Sequence, residues 1–169
     1  KRKCPEKRKR RTKTKSKTVE IKVLEKSQYP AALYLIRETF DKFVAPFYTD
    51  EGVETFKARF SSPEDFDDAV VYGAFDENGE LAGVLIAVND LAHIVAFYVK
   101  EKFQKRGVGK ALFERLSDDS NNSYVTVNAS PYAVEIYRKL GFIEAGETED
   151  RDGIVFTPMM KALYGVTNG

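Results

Sequence analysis

Residues 91–116 read LAHIVAFYVKEKFQKRGVGKALFERL, and this stretch limits the possible folds more than any other part of the chain. Its first nine residues are almost wholly apolar, as a well-buried strand is. After Gly107 the apolar positions Val108, Leu112 and Leu116 recur at helical spacing. The joint between them is Gln104-Lys105-Arg106-Gly107-Val108-Gly109. Two glycines there let the backbone turn so that several N–H groups point to one spot at the positive end of a helix dipole. Lys105, Arg106 and Lys110 add positive charge. The joint is therefore an anion cradle, and a pyrophosphate is its natural guest.

Spacing separates this joint from two other phosphate motifs. A P-loop ending at Gly109-Lys110 needs glycine at 104 and Ser or Thr at 111, where this chain has Gln104 and Ala111. A dinucleotide fingerprint starting at Gly107 needs glycine near Leu112 and an early parallel strand-helix-strand unit. A solvated basic turn is the plain alternative.

The rest of the chain supplies the partners. VEIKVL, 19–24, alternates apolar and polar residues as a half-buried strand does. Leu33, Ile36, Phe40 and Phe43 form a helical stripe that starts at Pro30 and ends at Pro46; Val53, Phe56 and Phe60 form a shorter one, capped by Asp50. Strands at 69–75 and 81–88 flank the turn Asp76-Glu77-Asn78-Gly79, and 91–99 is a third antiparallel strand. YVTVN, 124–128, is another strand. Ser130 and Pro131 open a helix that Gly141 closes, and β-like runs follow at 142–147 and 154–161. The expected fold is α+β, one domain over 18–169, with a mixed, twisted sheet of six to seven strands and about four helices.

Charge divides the chain at residue 17. Residues 1–17 hold eleven Lys or Arg against Glu6, which leaves 16 basic and 25 acidic side chains in the remainder. Such a tail has no apolar side chain to bury and is expected to be disordered. Any nucleic-acid binding is expected through residues 1–17 only, and a remnant of expression or upstream translation would look the same. Cys4 lies in this tail and is discounted as a nucleophile. With one Cys and one His, disulfide scaffolds and zinc sites are excluded, so no metal is expected. No apolar run is long enough to span a bilayer, so the expectation is a soluble, cytoplasmic protein without a membrane partner.

Gln104 through Gly109, between a strand and a helix, resembles the Q/R-x-x-G-x-G/A signature of the GNAT superfamily of N-acetyltransferases. Downstream, VTVNASPYAVEIYRKLGF, 125–142, is similar to that family's second motif, a strand ending in Asn followed by a helix with Tyr and then Gly-Phe. The resemblance covers about residues 18–163, including FTPMMKAL. It implies acetyl-CoA as cosubstrate and direct transfer of acetyl, without an acyl-enzyme, to a primary amine of a small molecule or a peptide. Backbone N–H groups of Lys105, Arg106, Gly107, Val108, Gly109 and Lys110 would hold the pyrophosphate. The fourth and fifth strands would splay, with the pantetheine arm pairing to backbone around Phe97 and Val99. The N–H of Val99 would polarise the thioester carbonyl, and Asn128 would be a polar contact nearby.

Tyr137 sits where the family often carries the phenol that protonates the CoA sulfur; a buried structural tyrosine would look the same. His93 lies at the register of a general base in the histone-acetyltransferase branch, and substrate hydrogen bonding or structure is the competing role. Six of the twelve Phe residues fall between Phe40 and Phe66, a region that covers the acceptor pocket in this fold. Asp41, Asp50, Glu51 and Glu54 in that region favour a cationic acceptor. The protein would be a monomer or homodimer. Two readings of other classes remain open: a nucleic-acid-associated protein working through its tail, and an acyl-CoA sensor without turnover.

Overall fold

In the computed structural model, which describes residues 18–163, the segments of period two become strands of one mixed sheet. An antiparallel meander runs through β1 (Glu20–Val23), β2 (Val70–Phe75), β3 (Leu81–Val88) and β4 (His93–Val99). β5 (Tyr124–Ala129) then pairs parallel to β4. The chain closes with β6 (Ile143–Glu144), β7 (Glu149–Arg151) and β8 (Ile154–Ala162), where β8 pairs antiparallel with β5, β6 and β7.

Helices cover both faces. α1 (Tyr29–Phe43) and α2 (Asp50–Arg59) pack on one side, where Leu35, Ile36, Phe40 and Phe56 meet Val84 and Ile86. α3 (Val108–Asp119), the crossover between β4 and β5, and α4 (Val134–Lys139) cover the other, where Leu112, Leu116 and Tyr137 meet Leu85 and Val127. Burial from both sides is why β3 reads LAGVLIAV without strict alternation.

The structure departs from the sequence reading at three places. The sheet has eight strands, because the final β-like region is broken and gains β7. Glu149-Asp150-Arg151 is exposed at each residue and has no apolar period, so its pairing to β8 depends on the turn at Asp152 and Gly153, whose φ angles are 53° and 79°. α2 is capped by Thr49, whose side chain accepts the Gly52 N–H at 3.2 Å, rather than by Asp50. α4 starts at Val134 instead of Pro131, because the Ser130 carbonyl first accepts the Ala133 and Val134 N–H groups as a turn. The basic segment 1–17, with Cys4, lies outside the described residues. Among those described, no helix is long and apolar enough to cross a membrane.

One contact fixes α2 against the β7–β8 turn. A Cβ on Gly52 would stand 2.0 Å from the Gly153 carbonyl oxygen, and one on Gly153 would stand 2.4 Å from the Gly52 nitrogen. Thr55 donates its hydroxyl to the Asp152 carbonyl at 3.0 Å beside them. Two backbones touch here because neither residue carries a side chain.

Candidate active site

β4 and β5 pair only at His93–Thr126 and Ile94–Val127, after which they part. The register between β3 and β4 slips at this level, leaving Val95 unmatched as a bulge that bends β4. Beyond it the Lys100 N–H donates to the Ala82 carbonyl, so peptide groups at even positions point to β3 and those of Phe97 and Val99 point into the gap. Across the gap, Thr126 donates its N–H to Ala92, and two residues on Asn128 offers its peptide edge to the same side. The parting strands thus leave an open fork whose two arms do not pair with each other. Gln104 reaches back to it, its Nε2 donating to the Val99 carbonyl at 3.0 Å.

The cradle stands at the mouth of the fork. Lys105 and Gly107 both adopt left-handed backbone, with φ of 59° and 82°. For Lys105 that conformation costs about 1 kcal/mol. Ala111 makes the first helical bond, to the Gly107 carbonyl, so the N–H groups of Val108, Gly109 and Lys110 have no acceptor within α3. The two glycines differ. Gly107 supplies positive φ, while Gly109 is helical and lies beside the Phe97 ring, which a Cβ there would meet at 3.4 Å, an ordinary contact.

Fork and cradle open into one cavity of about 740 Å³. Every site residue expected from the sequence lines it except Arg106. Tyr137 is buried, its ring centre 5.9 Å from Phe97 and 5.1 Å from Phe142. Its hydroxyl bonds to no described residue, yet among the described residues no buried side-chain polar atom lacks a partner, so that oxygen reaches the cavity surface. Burial holds its pKa above the usual tyrosine range. His93 Nδ1 lies 2.7 Å from Thr126 Oγ1, and burial lowers the imidazole pKa below 6.5. Thr126 and Asn128 are two apart on β5, so His93, Thr126 and Asn128 share one face of the fork.

Several wall residues were not singled out from the sequence. Tyr98 faces α1 and α2; burial raises its pKa, followed in effect by Tyr48 and Tyr137 nearby. Tyr48 is pushed up to about 12 by burial, with Arg59 opposing. Tyr132 stacks on Phe43 with ring centres 5.3 Å apart. The only early signal was aromatic density, which core packing explains equally well. The four acidic residues tied above to a cationic acceptor do not line the cavity. Asp41 pairs with Lys57 at 3.3 Å, and Asp50 and Glu51 occupy the first turn of α2, where they suit its dipole.

The Acetyltransferase (GNAT) domain family matches residues 44–163. No curated protein matches the chain. Among solved structures, the fold is similar to that of a GCN5-related N-acetyltransferase from Rhodopseudomonas palustris, at 20% identity and a TM-score of 0.74, covering 86% of this chain and 96% of that one. It is also similar to the PaiA N-acetyltransferase from Thermoplasma acidophilum in complex with coenzyme A, at 21% identity and a TM-score of 0.66, covering 86% and 99%. A phosphinothricin acetyltransferase from Sinorhizobium meliloti in complex with AcCoA is 19% identical with a TM-score of 0.60, covering 86% and 89%.

Proposed function

Because this chain belongs to the GNAT acetyltransferase family, we propose that it moves the acetyl group of acetyl-CoA directly onto a primary amine held in the 740 Å³ cavity. The observation that carries this reading is the open fork beside the left-handed turn at Lys105–Gly107. A diphosphate fits free N–H groups at a helix start with Lys105 and Lys110 beside them. An extended amide chain fits the unpaired edge at Phe97 and Val99 as an added strand. When bound, the cosubstrate supplies an activated acyl carbon and a thiolate leaving group.

Each need of the transfer has a residue. An N–H on the free edge of β4, that of Val99 in the first instance, donates a hydrogen bond to the carbonyl oxygen as negative charge develops on it. Tyr137 holds its proton at neutral pH, as a phenol does, and donates it to the departing sulfur. His93, with Nδ1 engaged by Thr126, takes the amine proton at Nε2. Asn128, exposed on the same face of β5, offers its amide as a polar contact beside the reacting atoms.

Two measurements test the reading. Acetyl-CoA is expected to raise the melting temperature and to release CoA only when an amine is present. A melting shift without amine-dependent release across a broad panel identifies a sensor. Salt-dependent nucleic-acid binding lost with residues 1–17, with no melting shift, identifies a tether.

The role of His93 has a pH signature. Its lowered pKa leaves it neutral at pH 7, and the rate falls as pH drops through a value below about 6.5. His93→Gln is expected to lower kcat/KM about a hundredfold at neutral pH and to erase that limb. A variant that keeps the wild-type pH profile assigns the base elsewhere.

A further inference from the structure

The cavity carries the opposite charge to the domain around it. Residues 18–169 hold 16 basic and 25 acidic side chains. The formally charged side chains lining the cavity are Arg59, Lys105, Lys110, Lys139 and Arg151 against Asp65 alone. Asp65 accepts the N–H groups of Ser61 and Ser62 at its Oδ2, each at 2.9 Å, and these bonds hold its carboxyl below the usual range, so it stays a single anion facing five cations. An arriving ammonium group therefore finds one carboxylate and five cationic side chains among the lining residues.

Lys105 and Lys110 belong to the cradle, but Arg59 and Arg151 do not. They stand on α2, which carries Gly52, and on β7, which leads into the turn that carries Gly153. Arg151 is engaged, 3.2 Å from a Glu149 oxygen and 5.1 Å from the centre of the Phe156 ring. Arg59 has no ion pair or hydrogen bond among the described residues. Tyr48, Phe56, Phe60 and Tyr98 line the cavity on this side, and the Arg59 charge opposes the burial that pushes the Tyr48 pKa up. The acceptor wall is an aromatic surface with one unpaired guanidinium.

We infer, resting on the acetyltransferase reading, that the acceptor is a primary amine on an apolar or aromatic body that also carries an anionic group, and that Arg59 recognises the anion. A guanidinium pairs with carboxylate or phosphonate in a forked geometry. The aromatic wall takes up the apolar body. An acceptor with several ammonium groups meets like charge instead.

The test uses the full chain and initial rates of CoA release with matched amines. One pair is para-carboxybenzylamine against benzylamine; the other is the C-terminally amidated dipeptide phenylalanyl-aspartate amide against phenylalanyl-asparagine amide. The anionic member of at least one pair is expected to show a kcat/KM higher by about tenfold, and the pair that does so tells a small molecule from a peptide. Arg59→Gln is expected to bring that ratio to about one, and Arg59→Lys to keep part of it. Turnover of both pairs without an anionic preference, or a preference unchanged in Arg59→Gln, overturns the inference and leaves the acetyltransferase reading standing. No melting shift with acetyl-CoA and no CoA release with any amine overturns both.

Discussion

Tyr137→Phe is expected to lower kcat about a hundredfold while acetyl-CoA binds as it does to wild type. The reason lies in one oxygen. The Tyr137 ring is held by Phe97 and Phe142, and phenylalanine keeps those contacts. The hydroxyl it removes bonds to no described residue, so the change should alter stability by no more than about 0.5 kcal/mol. What disappears is the proton for the departing thiolate, a loss confined to the transition state, so kcat and kcat/KM should fall together. Steady-state kinetics with calorimetric titration of CoA measures both quantities. Unchanged turnover with unchanged binding would make Tyr137 a packing residue.

Gly52→Ala is the second large effect, and it acts on structure first. The new methyl would stand 2.0 Å from the Gly153 carbonyl oxygen and 2.6 Å from its carbon, both backbone atoms that no rotamer change can move. α2 or the β7–β8 turn has to shift, at a cost of about 3 kcal/mol. For a domain of this size that is a fall in melting temperature of about 8 °C. The shift displaces α2 and β7, which carry Arg59 and Arg151, while the cradle at the start of α3 stays in place. The acceptor KM should therefore rise several-fold more than that for acetyl-CoA. Equal rises in both would mean that α2 and the hairpin do not shape the acceptor side by themselves.

The fork shows how far the sequence reading reached. Asn128, Phe97 and Val99 were legible as strand residues flanking a motif, and the structure finds their peptide edges facing one gap. The Val95 bulge was not legible, because HIVAFYV reads the same with or without one unmatched residue. The acidic residues near α2 pointed to a cationic acceptor only while they were counted along the chain. In space they serve the exposed side of α2, and the cavity beneath is cationic. The β7 strand escaped notice for a similar reason: its three exposed polar residues pair because a left-handed turn returns the chain onto β8.

Local pattern determined the order of strands and helices, the cradle between β4 and α3, and the placing of Tyr137 after Asn128, since turns, caps and apolar periods act between residues close in sequence. Tertiary structure alone decided where β4 and β5 part, which charges face the cavity, and that Gly52 meets Gly153 from 101 positions away. Those facts depend on how distant segments pack, and packing between segments leaves no period along the chain to read.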